Sequence, residues 1–278
     1  MIDYANKNMK TGEKTGQIHD LKAVLAILAL LVVVAVVTVV RTTSTGQAQH
    51  SNPNGGSVTL TAQIRGSKMA LDQIAEYTTA KDNDSYTATN LENRPYQFAV
   101  VKDGYWPWAK TYTPNEQEEV TFNTFSVLIT PKKEDASPDD ELYKEYKPQF
   151  DALQVATEKN KLVSKNGTMS IWAETNNIYA EWLGEASSTP SYFCYKGGCD
   201  TQTDVIHLQY RVRSLAFLDD FNNVIVFADD QGIYVLEIEK SGQQNFQPIF
   251  KTPSPQFILT GPRTMMVESN SNIFRISF

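Results

Sequence analysis

Two cysteines are the residues whose spacing most directly suggests a reaction. Cys194 and Cys199 are the only cysteines among the 278 residues and enclose the tetrapeptide Tyr-Lys-Gly-Gly. A Gly-Gly pair permits the positive φ of a tight hairpin turn, so the two thiols can face each other across its arms. We predict a disulfide, which forms outside the reducing cytosol. A zinc or redox site is the alternative, but it needs more ligands, and His207 is the only histidine after residue 50.

The sequence contains no familiar catalytic motif. We find no nucleophile elbow, zinc-protease helix, phosphate-binding loop or dinucleotide-binding glycine pattern. His207 lies in an alternating apolar and polar run, which favours a strand histidine over a catalytic base. We therefore expect no enzyme activity, no cofactor and no metal. A cell-wall hydrolase that uses a pair of carboxylates stays open as an alternative.

An aromatic cluster provides the candidate contact residues. Tyr105, Trp106 and Trp108 surround Pro107 in a predicted turn. Rings exposed at a turn can contact a glycan, a protein partner or the lipid interface. The alternative is that Tyr105 and one indole fill the core of a small domain.

Loops rich in Asp and Asn raise the question of calcium. One predicted loop carries Asp219 and Asp220 followed by two asparagines, and the next carries Asp229 and Asp230. Neither follows the ligand order of a calcium-binding loop. Side chains that bond their own backbone in turns are the simpler interpretation.

An uninterrupted apolar segment is the strongest signal of an element. The eighteen residues from Ala23 to Val40 carry no charge. At a rise of about 1.5 Å per residue, a helix of this length spans close to the hydrocarbon core of a bilayer. We predict a transmembrane helix over residues 21–41 that anchors the protein in lipid. The alternatives are a cleaved signal peptide and a buried helix of a soluble protein.

The distribution of charge predicts the orientation of this helix. Four lysines precede the apolar run, and Arg41 is the only Lys or Arg between its end and Arg65. Such asymmetry keeps the N-terminus inside, so residues 1–20 form a cytoplasmic tail and the rest is extracytoplasmic. Residues 42–56 are small and polar and predict a flexible stalk. The net charge of −7 disfavours nucleic acid as a partner.

A small antiparallel β domain is predicted for residues 57–130. Val58, Leu60, Ala62 and Ile64 alternate with polar residues as in a half-buried strand, and similar runs follow after Tyr86. The run Tyr-Gln-Phe-Ala-Val-Val-Lys-Asp-Gly-Tyr at 96–105 and the segment that follows it resemble the PEGA domain. That resemblance implies a small β-sandwich on the outer side of bacterial and archaeal envelopes that mediates contacts rather than catalysis. The Pro-x-Gly-Ala tetrapeptide is absent, and residues 67–85 look inserted.

The region 131–157 predicts a charged linker followed by a helix. Ser137 is the expected N-cap, Pro138 the first helical residue, and carboxylates fill the first turn. Pro148 is unfavourable in the later part of this helix, because proline has no backbone N–H to donate.

A weak repeat occupies residues 158–278. Three segments share the order of apolar strand, acidic residue, polar turn and Ile-aromatic pair, with the pairs at Ile178-Tyr179, Ile233-Tyr234 and Ile273-Phe274. Spacings of this kind are typical of propeller blades. A closed propeller typically has four to eight blades. With three, we expect a partial propeller, an open stack capped by the helix and the first domain, or a ring that closes through a homo-oligomer.

The sequence therefore predicts a mainly β protein: a single N-terminal transmembrane helix, a PEGA-like β-sandwich, and antiparallel blade-like repeats resembling part of a β-propeller. We expect a membrane-anchored binding or scaffolding protein of the cell envelope. Its candidate partners are the lipid bilayer, an envelope protein or a cell-wall glycan. Two alternatives remain: a sensory or regulatory protein that acts through a cytosolic partner, and the cell-wall hydrolase with a carboxylate pair.

Overall fold

Strands dominate the structure, as the alternating runs predict. The computed structural model describes residues 54–195, 198–218, 221–240 and 242–278. The predicted tail (1–20), transmembrane helix (21–41) and nearly all of the stalk (42–56) lie outside the described residues. Among the residues that are described, no helix is long and apolar enough to cross a bilayer.

Two sheets form the β-sandwich near the start of the described chain. One sheet has the order β4-β1-β7, with β1 and β7 parallel, and the other has the antiparallel order β3-β2-β5-β6. Leu60, Phe98 and Phe122 are buried between them, since alternate residues of each strand face inward. The strands are β1 (Gly56–Ala62), β2 (Lys68–Leu71), β3 (Ile74–Thr78), β4 (Asp84–Leu91), β5 (Tyr96–Val101), β6 (Trp108–Tyr112) and β7 (Glu119–Thr124).

Residues 67–85, which look inserted in the sequence, are an integral part of this sandwich. They contain the hairpin β2–β3, whose first strand pairs with β5. Met69 and Leu71 are buried in the core. The hairpin is therefore needed to complete the second sheet.

The charged segment after the sandwich is a strand rather than a linker. Residues Lys132–Ala136 form β8, which pairs antiparallel with the last strand of the chain. Four of its five side chains are exposed, and charged residues are common on such edge strands because they discourage further pairing.

Helix α1 (Glu141–Ala152) begins later than the sequence predicts. Asp140 occupies the N-cap position instead of Ser137, and its carboxylate accepts a hydrogen bond from the Ser137 backbone N–H at 2.6 Å. Pro148 lies inside the helix, which continues past it. Phe150 is buried and packs with Met266 and Ile273 of the third blade-like sheet.

Three four-stranded antiparallel sheets follow, and we call them the first, second and third blades. The repeated segments form their central hairpins, as the sequence predicts. The first blade contains β9 (Leu162–Val163), β10 (Met169–Glu174), β11 (Asn177–Trp182) and β14 (Gln202–His207). The second contains β15 (Ser214–Phe217), β16 (Val224–Ala228), β17 (Gly232–Glu237) and β18 (Phe246–Lys251). The third contains β19 (Gln256–Gly261), β20 (Thr264–Ser269), β21 (Asn272–Ser277) and β8.

The third blade is completed by chain that precedes the other blades. Its first three strands come from the C-terminal end and its fourth is β8. This pairing joins two segments more than a hundred residues apart, since Ile276 of β21 lies opposite Lys133. The segment that follows the sandwich is therefore held to the third blade by strand pairing.

Candidate functional site

A cleft of about 830 Å³ lies where the sandwich meets the blades. Its described lining includes residues of the sandwich strands β1 and β7, of the loop between β3 and β4, of β11 and the segment that follows it, and of the turn between the first two strands of every blade. These turns lie at equivalent positions in the three sheets, and they contribute Asn166, Asn222 and Arg263, respectively. We call this space the interdomain cleft.

One wall of the interdomain cleft is the outer face of the sheet β4-β1-β7. Thr61 lies opposite Asn123 in the parallel pairing of β1 and β7, and both line the cleft. Their neighbours Leu60 and Phe122 are buried on the other face. Because side chains alternate along a strand, the apolar core of the sandwich forces this polar set outward.

The opposite wall carries a fixed indole. Trp182 ends β11, and its Nε1 donates a hydrogen bond to the Glu185 backbone oxygen at 3.1 Å. Gly184 packs so closely on the ring that an added Cβ would lie 2.4 Å from it. The half-buried indole is therefore held in one place while it lines the cleft.

Tyr192 lines the same wall as Trp182. Burial raises the pKa of its phenol, and the nearby carboxylates Glu239 and Glu237 raise that pKa further. A phenol in this setting stays protonated and keeps a hydrogen-bond donor at neutral pH.

The formal charge of the described lining is balanced. Arg263 supplies one positive charge and Asp82 one negative charge. Arg263 Nη2 donates to Gln63 Oε1 and to the Ser126 backbone oxygen, both at 3.1 Å. Asp82 Oδ1 accepts from the Arg65 backbone N–H at 2.7 Å. The remaining polar lining is mainly uncharged amides and hydroxyls.

A buried charge network fastens the sandwich to the second blade. Lys110 of β6 lies 3.1 Å from Glu237 Oε2 and 3.0 Å from Glu239 Oε2. Trp108 Nε1 donates to Glu237 Oε1 at 2.6 Å, and Asn245 Nδ2 donates to Glu237 Oε2 at 3.1 Å. The Lys110 side chain is only 1% exposed, so this network is a structural joint rather than an accessible site.

The predicted aromatic contact surface is wrong for Trp108. Its ring is buried against the sandwich core and its N–H is used within the network. Trp106 is half-buried on the same core. Tyr105 is half-buried as well, with the Arg263 guanidinium 5.7 Å from the centre of its ring. In the alternative, Tyr105 and one indole fill the core. Trp108 does so, whereas Tyr105 is only half-buried.

The predicted disulfide is confirmed. Cys194 and Cys199 are bonded across the short hairpin of β12 (Cys194–Tyr195) and β13 (Gly198–Cys199). The Lys196-Gly197 turn lies outside the described residues. The strand position predicted for His207 is also confirmed: it ends β14, is exposed, and its Nδ1 lies 2.6 Å from Asn177 Oδ1.

Of the two predicted acidic loops, the structure describes the aspartates of one. Asp219 and Asp220 lie outside the described residues. Asp229 accepts hydrogen bonds from the backbone N–H groups of Gln231 and Gly232, which is the turn geometry predicted for it. No cluster of three potential metal-ligating side chains occurs within the part of the chain that the structure describes.

Comparisons with known proteins give likenesses to solved structures alone. No protein-family model and no curated protein matches the chain. Among solved structures, it is similar to the β-propeller domain of Cps50 (Swd1) from Myceliophteria thermophila, at 11% identity and a TM-score of 0.28 over 68% of each chain. A likeness at this level carries no information about function.

The cleft itself has little signature in the sequence. The described residues that line it are spread along the sequence from Thr61 to Arg263. They belong to four different sheets and to the loops beside them. The asparagines just before the second strands of the first and second blades, Asn166 and Asn222, are a local signal that could have indicated it.

Proposed function

We propose that the protein is a non-catalytic, membrane-anchored binding or scaffolding protein that acts outside the cytoplasm in the cell envelope. The anchor is the apolar segment 21–41, and the sandwich is a PEGA-like domain. The single observation that carries the binding role is the interdomain cleft, whose volume lies within the roughly 300–1,000 Å³ range of ligand sites.

The disulfide supports the extracytoplasmic location. Disulfides persist in oxidising compartments and are rare in the cytosol. Cys199 is exposed, and Cys194 is partly so. Reducing agents of the cytosol would reach such a bond readily.

The lining of the cleft supports binding rather than hydrolysis. Glycoside hydrolysis needs two carboxyl groups that flank the reacting bond. Asp82 is the single carboxylate among the described residues that line the cleft, and its Oδ1 is already hydrogen-bonded to backbone.

Fractionation with cross-linking tests this proposal. The full-length protein, tagged and expressed in its own cells, should remain with the membrane pellet after alkaline extraction. Cross-linking should then recover it with envelope protein or wall material. Recovery in the soluble cytosolic fraction, or steady conversion of wall polymer by the purified protein, would contradict the proposal.

A further inference from the structure

The walls of the interdomain cleft differ in chemistry, and this difference restricts the ligand. One wall is a strand face of hydroxyls and amides, including Thr61, Thr121 and Asn123. The other presents the aromatic rings of Trp182 and Tyr192. A ligand that fits both walls needs an apolar face for the rings and polar groups around its edge.

The charge of the cleft restricts the ligand further. The described lining contributes one cation and one carboxylate, so neither sign of charge predominates among the described residues. Arg263 is held by Gln63 and Ser126 at 3.1 Å, and Asp82 by the Arg65 backbone at 2.7 Å. A ligand that carries several charges of one sign would lose their hydration and meet only a single opposite charge in the described lining.

We propose that the interdomain cleft binds an uncharged oligosaccharide chain. A sugar ring carries C–H groups on its faces, which pack on an indole, and hydroxyls on its rim, which exchange hydrogen bonds with amides and hydroxyls. The inference rests on the proposed binding function and names the ligand class of that site.

Trp182 is the anchor of the proposed site. Its ring is fixed by Gly184 on one side and by the hydrogen bond to the Glu185 oxygen. A ring that is already in position loses little conformational freedom when a ligand arrives. Its removal should therefore weaken binding more than the loss of a single hydroxyl on the opposite wall.

Calorimetric titration of the full-length protein tests the inference. The detergent must have no sugar headgroup. The probes are neutral hexamers of β-1,4-linked N-acetylglucosamine, β-1,4-linked glucose and α-1,4-linked glucose, with an oligogalacturonate hexamer and a hexapeptide of Asn and Thr for comparison. We expect at least one neutral hexamer to bind, and the charged hexamer and the peptide to bind at least about tenfold more weakly.

Variants connect that binding to the cleft. Trp182→Ala should weaken it about tenfold, corresponding to about 1.4 kcal/mol. Gly184→Ala should weaken it as well, because the new methyl group displaces the indole while leaving it present. Thr87→Ala is the matched control: Thr87 lies on the same polar sheet face, paired with Thr59, but does not line the cleft. It should bind within about twofold of the unmodified protein.

The inference is overturned if no neutral hexamer binds to the folded protein, if the charged hexamer or the peptide binds more tightly, or if both cleft variants bind like the control. Circular dichroism of each variant shows whether it is folded. Should Trp182→Ala fail to fold, Gly184→Ala decides the outcome. Cytosolic recovery with intact glycan binding would contradict the proposed location alone and leave the ligand class standing.

Discussion

At the scale of single residues, Lys110 is the side chain on which the joint between sandwich and second blade depends. Lys110→Met removes the charge and keeps a long apolar chain, so two carboxylates, Glu237 and Glu239, are left buried beside each other. Breaking a buried ion pair in this way costs about 3–5 kcal/mol. We expect urea unfolding of the purified protein to show a loss of that size.

A surface lysine provides the control for this substitution. Lys240 lies 2.7 Å from Asp204, and their side chains are 44% and 70% exposed. Exposed pairs contribute at most about 1 kcal/mol, so Lys240→Met should change stability little. Equal losses for the two variants would contradict the account of the buried network.

The carboxyl group of Asp84 contributes to the loss of stability that we expect at low pH. Hydrogen bonds from the Ala80 backbone and the Tyr77 hydroxyl, both 2.8 Å long, hold the pKa of this carboxyl below its usual range. A lowered folded-state pKa stabilises the fold above the unfolded-state pKa, near 4, and that contribution is lost as the pH falls through the folded-state value. Asp84→Asn should therefore flatten the dependence of unfolding free energy on pH below about 4.

The measurement is a series of urea unfolding curves from pH 7 to pH 2. The gap in stability between the unmodified protein and Asp84→Asn should narrow as the pH falls, because the carboxyl becomes neutral. A constant gap over the whole series would show that the ionised form of Asp84 contributes nothing.

The chemistry of individual residues could be predicted only where the partner is near in sequence. The disulfide partners are five positions apart, and the Gly-Gly turn between them indicates the pairing. Lys110 and Glu237 are 127 positions apart. Nothing in the local pattern around Lys110 indicates its partner, so an exposed strand lysine and a buried one look alike in the sequence.

At the scale of elements, the apolar strands could be predicted and the charged one could not. The central hairpins of the blades have buried apolar residues on β16 and β20, which give a clear pattern. Strand β8 has the sequence Lys-Lys-Glu-Asp-Ala and packs almost no apolar side chain. Its strand conformation depends on pairing with β21, a partner more than a hundred residues away.

A proline test addresses that pairing. Neighbouring N–H groups of a strand point in opposite directions, so prolines at both Lys133 and Glu134 remove one hydrogen bond to β21 whichever way the strand is turned. We expect faster amide hydrogen exchange across Asn272–Ser277 in this variant.

Glu134→Ala is the control for the proline variant. It removes only an exposed contact, 3.5 Å long, with Arg275, and exchange in β21 should stay slow. Unchanged protection in the double-proline variant would mean that β8 does not hold the third blade together.

At the scale of the whole molecule, the sandwich shares one core with the second and third blades, and the first blade packs on the other face of the second blade. Buried residues of the sandwich form a continuous apolar cluster with Val226 of the second blade and Val267 of the third. The Lys110 network lies at the same junction. The cleft could not be predicted from the sequence, because it exists only after this junction forms.

The shared core predicts cooperative unfolding of the described region. Tryptophan fluorescence, which reports on Trp108 and Trp106 in the sandwich and on Trp172 and Trp182 in the first blade, and far-ultraviolet circular dichroism should give coincident urea transitions. Two separate transitions would indicate that the sandwich and the blades are independent domains.

Removal of the disulfide by Cys194→Ser with Cys199→Ser should lower the free energy of unfolding by about 2 kcal/mol or less, since the disulfide closes only a short loop.

We propose that the body of the protein lies outside the cytoplasm, and the accessibility of its two cysteines tests that location. The most direct measurement uses spheroplasts treated with a reductant and a maleimide that do not cross the membrane. We predict that Cys194 and Cys199 are labelled in intact spheroplasts after reduction and stay unlabelled without it. Labelling that appears only after the membrane is permeabilised would place these residues in the cytoplasm and contradict the account.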